Sequence, residues 1–237
     1  AEGLRASGVY HFSPSAIRLH QPFRAIPILA RDGSNLGRAI EGLREIEPES
    51  VGRVRQYLSA IVPGVLDFRN QPYGDFETVR FLVSGKKAEP PLEFDASSMS
   101  DGTLRALAAL IAAFQIVLPH GPPGFVGIEE PETALHPAAM RALVDALDEA
   151  TLRTQILLTT HSAEMLDNPT VLPENIRVVQ MIDGQTIIGP VDEGSVEILR
   201  QNLDTLGGLE RQNQLEPDLD DQVRQQAILL NGKAAAR

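Results

Sequence analysis

The sequence contains no cysteine, no apolar run that could span a membrane, and no excess of positive charge. Without cysteine, the chain of 237 residues has no disulfide framework, so an intracellular, cytoplasmic location is the expectation. The longest apolar run, Leu107 to Leu118, is shorter than the roughly 18 residues of a membrane helix and is interrupted by Gln115. A membrane is therefore not an expected partner.

The net charge of −11 argues against a broad surface for nucleic-acid phosphates, because such binding relies on clustered lysine and arginine. A local basic groove is still compatible with this total. Several arginines do lie close together early in the chain, but acidic residues are interleaved with them, which is typical of a solvated helix face: Arg38, Arg44, Arg53 and Arg55. DNA or a protein partner therefore stays open, without support from charge.

The first part of the chain predicts a mixture of helices and strands. Its first thirty residues contain three prolines, and we expect them to be irregular. Helical spacing of apolar residues follows up to about Ile46 and again from Pro48 to Val62. In "FETVRFLV" one face of a half-buried strand is predicted for Val79, Phe81 and Val83, which alternate with Thr78, Arg80 and Leu82. Leu92–Phe94 is another strand candidate.

A different pattern begins at Ser97. A polar turn leads into an alanine- and leucine-rich helix that is apolar on nearly every side and should be buried. The strand "FVGIEE", a helix from Pro137 to about Ala150 and the buried strand "TQILLTT" come next. Strand, helix and strand form a βαβ unit, which implies a parallel sheet flanked by helices, an α/β fold. A hairpin with its turn at Asp183–Gly184 and a helix capped by Asp192 follow.

Three short motifs in this second part carry candidate chemistry. The first, "MSDGTLR", places Ser100, Asp101 and Gly102 at the mouth of the buried helix. Free N–H groups and the positive end of the helix dipole make such a position an anion site. Serine and aspartate are also the preferred capping residues, so a purely structural cap is the alternative.

The second motif, "FVGIEEPETALHP", delivers Glu129 and Glu130 to the end of an apolar strand. Ligands of open α/β sheets bind at this carboxyl edge. One carboxylate could hold Mg²⁺, and the next could orient or deprotonate a water molecule. The alternative is an acidic loop that leads into a helix.

The third motif, "ILLTTHSAEML", ends the neighbouring strand with Thr159, Thr160, His161 and Ser162. Carboxyl ends of adjacent parallel strands share one edge, so the topology predicts that His161 faces the same crevice as the two glutamates. A lone histidine is more often structural than catalytic, and that alternative stays open.

The order of these motifs resembles the ABC-type ATPase heads of the RecF, SMC and OLD-like AAA ATPase branch. "MSDGT" is similar to the signature motif of that family, "FVGIEE" to its Walker B strand, "ETALHP" to its D-loop and "TTHS" to its switch-histidine motif. The resemblance is strong from Ser97 to about Asp167 and weak over "IGPVDEGSVEILRQNL". It implies a P-loop-NTPase-like head that binds and hydrolyses Mg²⁺-ATP between two copies of itself.

The resemblance assigns a role to each matched residue. Glu129 takes the position of the acid that assists Mg²⁺, where the family more often has aspartate. Glu130 takes the position of the catalytic base, and His161 that of the residue that senses the γ-phosphate. The residues implied to contact ATP held by a second protomer are Ser100, Asp101, Gly102 and Thr103. Asp101 stands where the family usually has glycine, and Thr103 stands where it usually has glutamine. The residues implied at the dimer interface are Glu132, Thr133 and His136.

The family's nucleotide grip, a P-loop of the form G-x-x-x-x-G-K-[ST], is absent from the sequence. The candidates "GKK" at Gly85 and "GKA" at Gly232 lack both the earlier glycine and the hydroxyl residue. The sequence begins with Ala1 rather than Met, and we expect it to be the C-terminal part of a longer ATPase that is inactive alone. A relative without a P-loop is the alternative.

Three segments follow from the resemblance. Residues 1–96 are expected to form an inserted helical and β-rich segment, residues 97–211 the ATPase core, and residues 212–237 a polar, loosely held tail. The P-loop part of the head would lie outside this sequence.

Three hypotheses about function remain. The first is an ATPase head, or most of one, whose dimerisation on Mg²⁺-ATP drives a conformational switch, for example in DNA repair or phage defence. The second is a non-catalytic interaction module that keeps the fold but has lost nucleotide binding. The third is a metal-dependent hydrolase that uses Glu129, Glu130 and either His136 or His161, although the sequence has no histidine-rich ligand spacing.

Overall fold

The computed structural model of the chain describes residues 8–23, 27–85, 90–115 and 123–219. The chain divides into two compact units, Ala1–Thr160 and His161–Arg237. The elements of the first unit are, in chain order, β1 (Gly8–Tyr10), α1 (Pro14–Arg18), β2 (Gln21–Pro22), α2 (Leu36–Ile46), α3 (Pro48–Ile61), β3 (Val65–Tyr73), β4 (Phe76–Val83), β5 (Leu92–Asp95), α4 (Asp101–Phe114), β6 (Phe125–Glu129), α5 (Met140–Thr151) and β7 (Gln155–Thr159).

A three-stranded parallel sheet in the order β1-β6-β7 carries the two glutamates. Its register pairs Tyr10 with Ile128 and Ile128 with Leu158. Since α5 connects β6 to β7, this is the predicted βαβ unit, and the prediction of an α/β fold with a parallel sheet and flanking helices is confirmed. The expectation of an irregular start needs correction for the described residues, because the short elements β1, α1 and β2 lie among them, although no long helix does. Strand β1 has only three residues, so the alternation of apolar and polar side chains that identifies a strand cannot be recognised in its sequence.

Helix α4 lies in the core of the first unit, as its composition predicts. Every residue from Gly102 to Phe114 except Arg105 is buried. The helix packs against α2, α3, α5 and β6, so neighbours cover it on several sides, which a helix with apolar residues all round requires. Residues 116–118 of the long apolar run lie outside the described ranges.

The second sheet is antiparallel, with the order β2-β4-β3 and with β5 also paired to β4. Phe68 and Phe81 on its inner face are at most 1% exposed and belong to the same core as α4. On the opposite face Arg80 forms ion pairs with Glu93 at 2.9 Å and Asp95 at 2.6 Å. Around Phe81 and Arg80 the strand alternates as predicted, whereas the consecutive residues Glu77–Val79 are all buried, which the alternation does not predict.

An ionic cluster at the surface joins α3 to α5. The guanidinium of Arg53 donates to the carboxylate of Glu149, and the hydroxyl of Tyr57 donates to the same carboxylate at 2.6 Å. The hydrogen bond from Arg53 holds the pKa of Glu149 below its usual range, although burial acts in the opposite direction. Burial raises the pKa of Tyr57 to about 12, and the bond to Glu149 adds to this rise.

Replacing Glu149 by glutamine should destabilise the fold in a pH-dependent way. A carboxyl group with a lowered pKa in the folded chain stabilises the fold above its unfolded pKa of 4.5, and this contribution is lost as the pH falls through the folded value. Because the pair is partly exposed, we expect Glu149→Gln to lower the free energy of unfolding by at most about 1 kcal/mol at neutral pH. The loss should disappear well below pH 4.5, where both side chains are neutral.

Urea unfolding of the variant and the parent at the two pH values measures this difference. Asp148→Asn, one position earlier on α5 and exposed, is the matched control and should change little at either pH. An equal loss for Glu149→Gln at both pH values would contradict a role for its charge.

The second unit contains α6 (Ala163–Leu166), β8 (Val178–Ile182), β9 (Gln185–Gly189), α7 (Glu193–Arg200) and α8 (Leu206–Arg211). Strands β8 and β9 form the predicted hairpin, with Asp183 and Gly184 at the turn, both at positive φ. Asp192 caps α7 as predicted, since its side chain accepts a hydrogen bond from the backbone N–H of Ser195 at 3.0 Å.

One expectation about exposure needs correction. Strand β7 is not fully buried, because Leu157 is 53% exposed on the face opposite to that of Leu158. In the polar stretch after α8, the backbone N–H of Asp218 donates to the carbonyl of Pro190 at 2.9 Å. None of the helices in the described ranges has the length and apolar character that crossing a bilayer requires.

The boundary between the two units falls after Thr160, inside the predicted core of residues 97–211. Strand β1, which belongs to the predicted insertion of residues 1–96, pairs with β6 of the predicted core. The division into insertion, core and tail stays a prediction.

Candidate functional site

The carboxyl edge of the parallel sheet gathers polar side chains. Strands β1, β6 and β7 run in the same direction, so their carboxyl ends lie at one edge. His11 directly follows β1, Glu129 ends β6, and its register partner Thr159 ends β7. Polar groups therefore collect at the edge where open α/β sheets bind ligands.

Glu130 occupies a strained position directly after β6. Its φ is +42°, in the left-handed region that residues other than glycine rarely adopt. Its backbone N–H donates to the carbonyl of Thr159 at 3.0 Å and lies 3.3 Å from the hydroxyl of the same residue. The hydroxyl of Thr133 donates to the carboxylate of Glu130 at 3.2 Å. These bonds hold a backbone conformation that costs on the order of 1 kcal/mol, and such positions cluster at functional sites.

Glu129 lies at the surface beside His11. Nδ1 of the imidazole is 2.8 Å from Oε2 of the carboxylate, and the two side chains are 72% and 48% exposed, histidine first. The contact engages one of the two carboxylate oxygens. The two glutamates therefore have different neighbours: an imidazole beside Glu129, and threonine groups around Glu130.

The loop between β6 and α5 is tied to the end of β7. The hydroxyl of Thr160 donates to Oε1 of Glu132 at 2.5 Å, while Oε2 of Glu132 is buried with no partner among the described residues. Ala134 has a φ of +67°, and His136 caps the next turn by accepting a backbone N–H at 3.2 Å. The residues implied at a dimer interface thus all make contacts within the chain, and that interface role stays a prediction: Glu132, Thr133 and His136.

The start of α4 combines a cap with close packing against this loop. Oγ of Ser100 accepts a hydrogen bond from the backbone N–H of Thr103 at 3.2 Å and lies 2.8 Å from its hydroxyl. A Cβ added to Gly102 would lie 2.3 Å from the carbonyl oxygen of Ala134, so only glycine permits this approach. Ser100 and Asp101 are exposed, whereas Gly102 and Thr103 are buried. The structural cap is therefore present, and only the first two residues of the motif present side chains to solvent.

Arg18, the last residue of α1, binds the same segment. Its guanidinium donates to the carbonyl of Met99 at 2.8 Å and to the carboxylate of Asp101. This ion pair counters the negative charge that Asp101 introduces where the related motif has glycine. An uncompensated carboxylate near the start of α4 would oppose the binding of an anion there.

His161 is the first residue of the second unit. Its side chain is 87% exposed, and its Nδ1 lies 3.9 Å from Oε1 of Glu210 on α8. The next residue, Ser162, caps α6 with its hydroxyl oxygen. The predicted placement of His161 opposite the two glutamates stays a prediction.

The carboxylate oxygens at the sheet edge are suitable ligands for a magnesium ion that is bound together with a nucleotide. The described ranges contain no group of three or more histidine, cysteine, aspartate or glutamate side chains placed to hold a metal. Mg²⁺ in nucleotide sites commonly takes one or two carboxylates and completes its shell with phosphate oxygens and water. The exposed carboxylate of Glu129 suits that arrangement. A metal hydrolase with its own ligand cluster gains no support from the described residues.

The sequence analysis does not identify two residues of this site, His11 and Arg18. Both lie in the segment expected to be irregular, outside any recognised motif. The alternation of buried Tyr10, exposed His11 and buried Phe12 is the one local hint of their placement, and it is too short to stand out.

The parallel sheet and its flanking helices define an α/β domain with acidic side chains at the carboxyl edge. Residues 11–167 match the family described as "AAA domain, putative AbiEii toxin, Type IV TA system". The match covers well over half of the sequence, and the chain belongs to this family. This result confirms the resemblance to the AAA ATPase branch. Comparison with curated proteins gives no match.

Solved structures similar to the chain include heads of SMC ATPases. One, from work on ATP-driven dimerization and DNA-stimulated activation of SMC ATPases, is 19% identical with a TM-score of 0.46, over 71% of this chain and 96% of that chain. The Smc head of Pyrococcus furiosus bound to the C-terminal domain of ScpA is 18% identical with a TM-score of 0.47, over 70% and 43%. An Smc head bound to the C-winged helix domain of ScpA is 18% identical with a TM-score of 0.48, over 81% and 57%. The chain spans less than two thirds of the length of these two ScpA-bound heads.

Proposed function

We propose that this chain forms the hydrolytic face of a Mg²⁺-dependent ATPase that works as a dimer, with ATP held by a P-loop outside this sequence. The observation that supports the proposal most is the pair of glutamates at the end of β6, both exposed and the second held at positive φ. Exposed carboxylate oxygens at this edge are ligands that Mg²⁺ prefers in nucleotide sites.

In this proposal the two glutamates divide the work. Glu129 binds the Mg²⁺ that accompanies ATP, and the ion, when bound, neutralises charge on the phosphates. Glu130 orients the attacking water and accepts its proton, with its carboxylate fixed by the hydroxyl of Thr133. His161 senses the γ-phosphate. Phosphoryl transfer depends mainly on positioning, so the bonds that restrain Glu130 support this role.

The start of α4 serves the nucleotide of the second protomer. Ser100 and Asp101 are exposed there, and the ion pair with Arg18 reduces the repulsion between Asp101 and phosphate. Gly102 and Thr103 contribute through the backbone and the cap. ATP would thus join two copies, and hydrolysis would release them.

The setting of this activity is also part of the proposal. The family description names a type IV toxin–antitoxin system, and this wording favours a role in defence over one in DNA repair. A non-catalytic interaction module is the alternative. The strained and well-supported conformation of Glu130 favours the enzyme, because a module without hydrolysis gains nothing from it.

Adding the P-loop should turn hydrolysis on. We expect the chain of 237 residues alone to show negligible Mg²⁺-ATPase activity, because nothing in its sequence grips the β- and γ-phosphates. The same chain, preceded by the segment encoded upstream in its gene, should hydrolyse ATP in a Mg²⁺-dependent way. Phosphate release from both proteins measures the difference. An upstream segment without a P-loop would favour the interaction module, and hydrolysis by the short chain that Glu130→Gln abolishes would overturn the need for a P-loop.

A further inference from the structure

We propose that His11 is a positioning residue for Glu129: its imidazole holds one carboxylate oxygen so that the other is presented to a divalent metal ion. The juxtaposition that carries this inference is the 2.8 Å distance between Nδ1 of His11 and Oε2 of Glu129 at the carboxyl edge of the sheet. The inference rests on the proposed function only in taking Glu129 as the metal-binding acid.

The backbone on both sides of His11 is anchored in the core. Tyr10 and Phe12 are 3% and 1% exposed, and their rings stack with centroids 5.6 Å apart. The side-chain amide of Gln115 donates to the hydroxyl of Tyr10 at 2.7 Å. The backbone N–H of His11 itself donates to the carbonyl of Arg31 at 3.0 Å. The side chain of His11 is therefore exposed, while its backbone is held in place by buried neighbours on both sides.

Strand pairing then sets the partner of the ring. The register of the parallel sheet places Tyr10 beside Ile128, so the residues that follow them, His11 and Glu129, leave the sheet side by side. Tyr10 and Ile128 point into the core, and the alternation of an extended chain turns the next residues to the other side. The contact thus follows from the sheet register and needs no rearrangement of a flexible loop.

An imidazole has the right chemistry for this position. Neutral histidine can donate one hydrogen bond through Nδ1, and it adds no permanent positive charge, as arginine or lysine would. The carboxylate can therefore be oriented and still keep its attraction for a cation. Hydrogen-bond partners behind a metal ligand typically change metal affinity by about 10- to 100-fold.

Glu130 does not share this partner, which separates the two acids. Its carboxylate accepts from Thr133 and its backbone is held by Thr159. A defect at His11 should therefore affect metal binding at Glu129 and leave the geometry of Glu130 in place.

Binding of Mn²⁺ to the P-loop-bearing protein in the presence of a non-hydrolysable ATP analogue, followed by electron paramagnetic resonance, tests the proposal. Glu129→Gln should strongly weaken the Mn²⁺ site of the parent protein. His11→Leu should weaken that site by about 10- to 100-fold. His11→Asn should recover part of the loss, because its amide can donate from a position close to that of Nδ1. His20→Leu is the matched control, since His20 stacks on Tyr73 instead and should leave Mn²⁺ binding unchanged.

Three results would overturn the proposal. Glu129→Gln could bind Mn²⁺ as the parent does, His11→Leu could bind as the parent does, or the bound ion could show coupling to an imidazole nitrogen that is lost in His11→Leu. The last result would make His11 a direct ligand. Matching thermal unfolding of all variants shows that folding is not the cause of a change. Because the analogue is not hydrolysed, the outcome is independent of turnover. A parent protein that binds no Mn²⁺ together with the analogue would contradict the proposed function instead.

Discussion

Glu130→Gln, introduced into the P-loop-bearing protein, is expected to lower the turnover number for ATP by about 10²- to 10⁴-fold while ATP still binds. Glutamine has nearly the same shape as glutamate, but its amide cannot accept a proton from the attacking water. The hydroxyl of Thr133 can still donate to the amide oxygen, and the backbone bonds to Thr159 do not involve the side chain. The change therefore removes the base and keeps the local geometry.

Two measurements separate this effect from a loss of binding. Steady-state phosphate release gives the turnover number, and light scattering after size exclusion reports whether ATP joins two copies. If hydrolysis releases the dimer, the variant should accumulate as a dimer in ATP. Turnover within a few-fold of the parent would exclude Glu130 as the base.

Glu129→Gln is the informative comparison. We expect its activity to recover in part when Mg²⁺ is raised, because that change weakens ion binding and leaves the base intact. The activity of Glu130→Gln should not respond to added Mg²⁺. The same response in both variants would contradict separate roles for the two acids.

Local sequence signals are sufficient for the buried helix α4 and for strand β6. Helix α4 is apolar on nearly every side, and β6 is a short apolar run that ends in two acids. Each feature lies within one continuous stretch of sequence, so composition and spacing predict both the element and its burial. The candidate site follows from the same rule, because the acids stand at the end of a strand in a predicted parallel sheet.

Pairing across long sequence separations is what the sequence does not reveal. Strand β1 has three residues and is a strand only because it pairs with β6, which lies more than one hundred positions later in the chain. His11 and Arg18 acquire their partners through the same distant contacts. Composition also does not say which face of a strand is covered: Leu157 is as apolar as Leu158 but lies on the exposed face of β7.

The conformation of Glu130 is a further property that no local signal predicts. Glutamate has little preference for positive φ, and the bonds that hold it there come from Thr159 on the next strand and from Thr133. The sequence thus identifies the acids but not their restraint. That restraint separates a strained functional position from an ordinary acidic turn.

Gly102→Ala is expected to destabilise the protein by about 1–3 kcal/mol, because the added methyl group has no space. Its Cβ would lie 2.3 Å from the carbonyl oxygen of Ala134 and 3.1 Å from a side-chain carbon of Leu135. The first of these neighbours is backbone and cannot rotate away. Gly52→Ala on α3 is the matched control, since no atom lies within 4 Å of its added Cβ. That substitution should stabilise the helix by about 0.5–1 kcal/mol.

Gly102→Ala should also disturb the loop between β6 and α5, which contains Glu130. Ala134 is already at a φ of +67°, and Thr133, which precedes it, donates to the carboxylate of Glu130. A methyl group that pushes the carbonyl of Ala134 away would shift Thr133 and loosen Glu130. In the P-loop-bearing protein we therefore expect Gly102→Ala to lose turnover, at a temperature where it is still folded. Urea unfolding measures the loss of stability, and phosphate release measures the loss of turnover. If Gly102→Ala stabilised the protein as much as Gly52→Ala does, α4 and the loop could not lie as close together as the 2.3 Å distance implies.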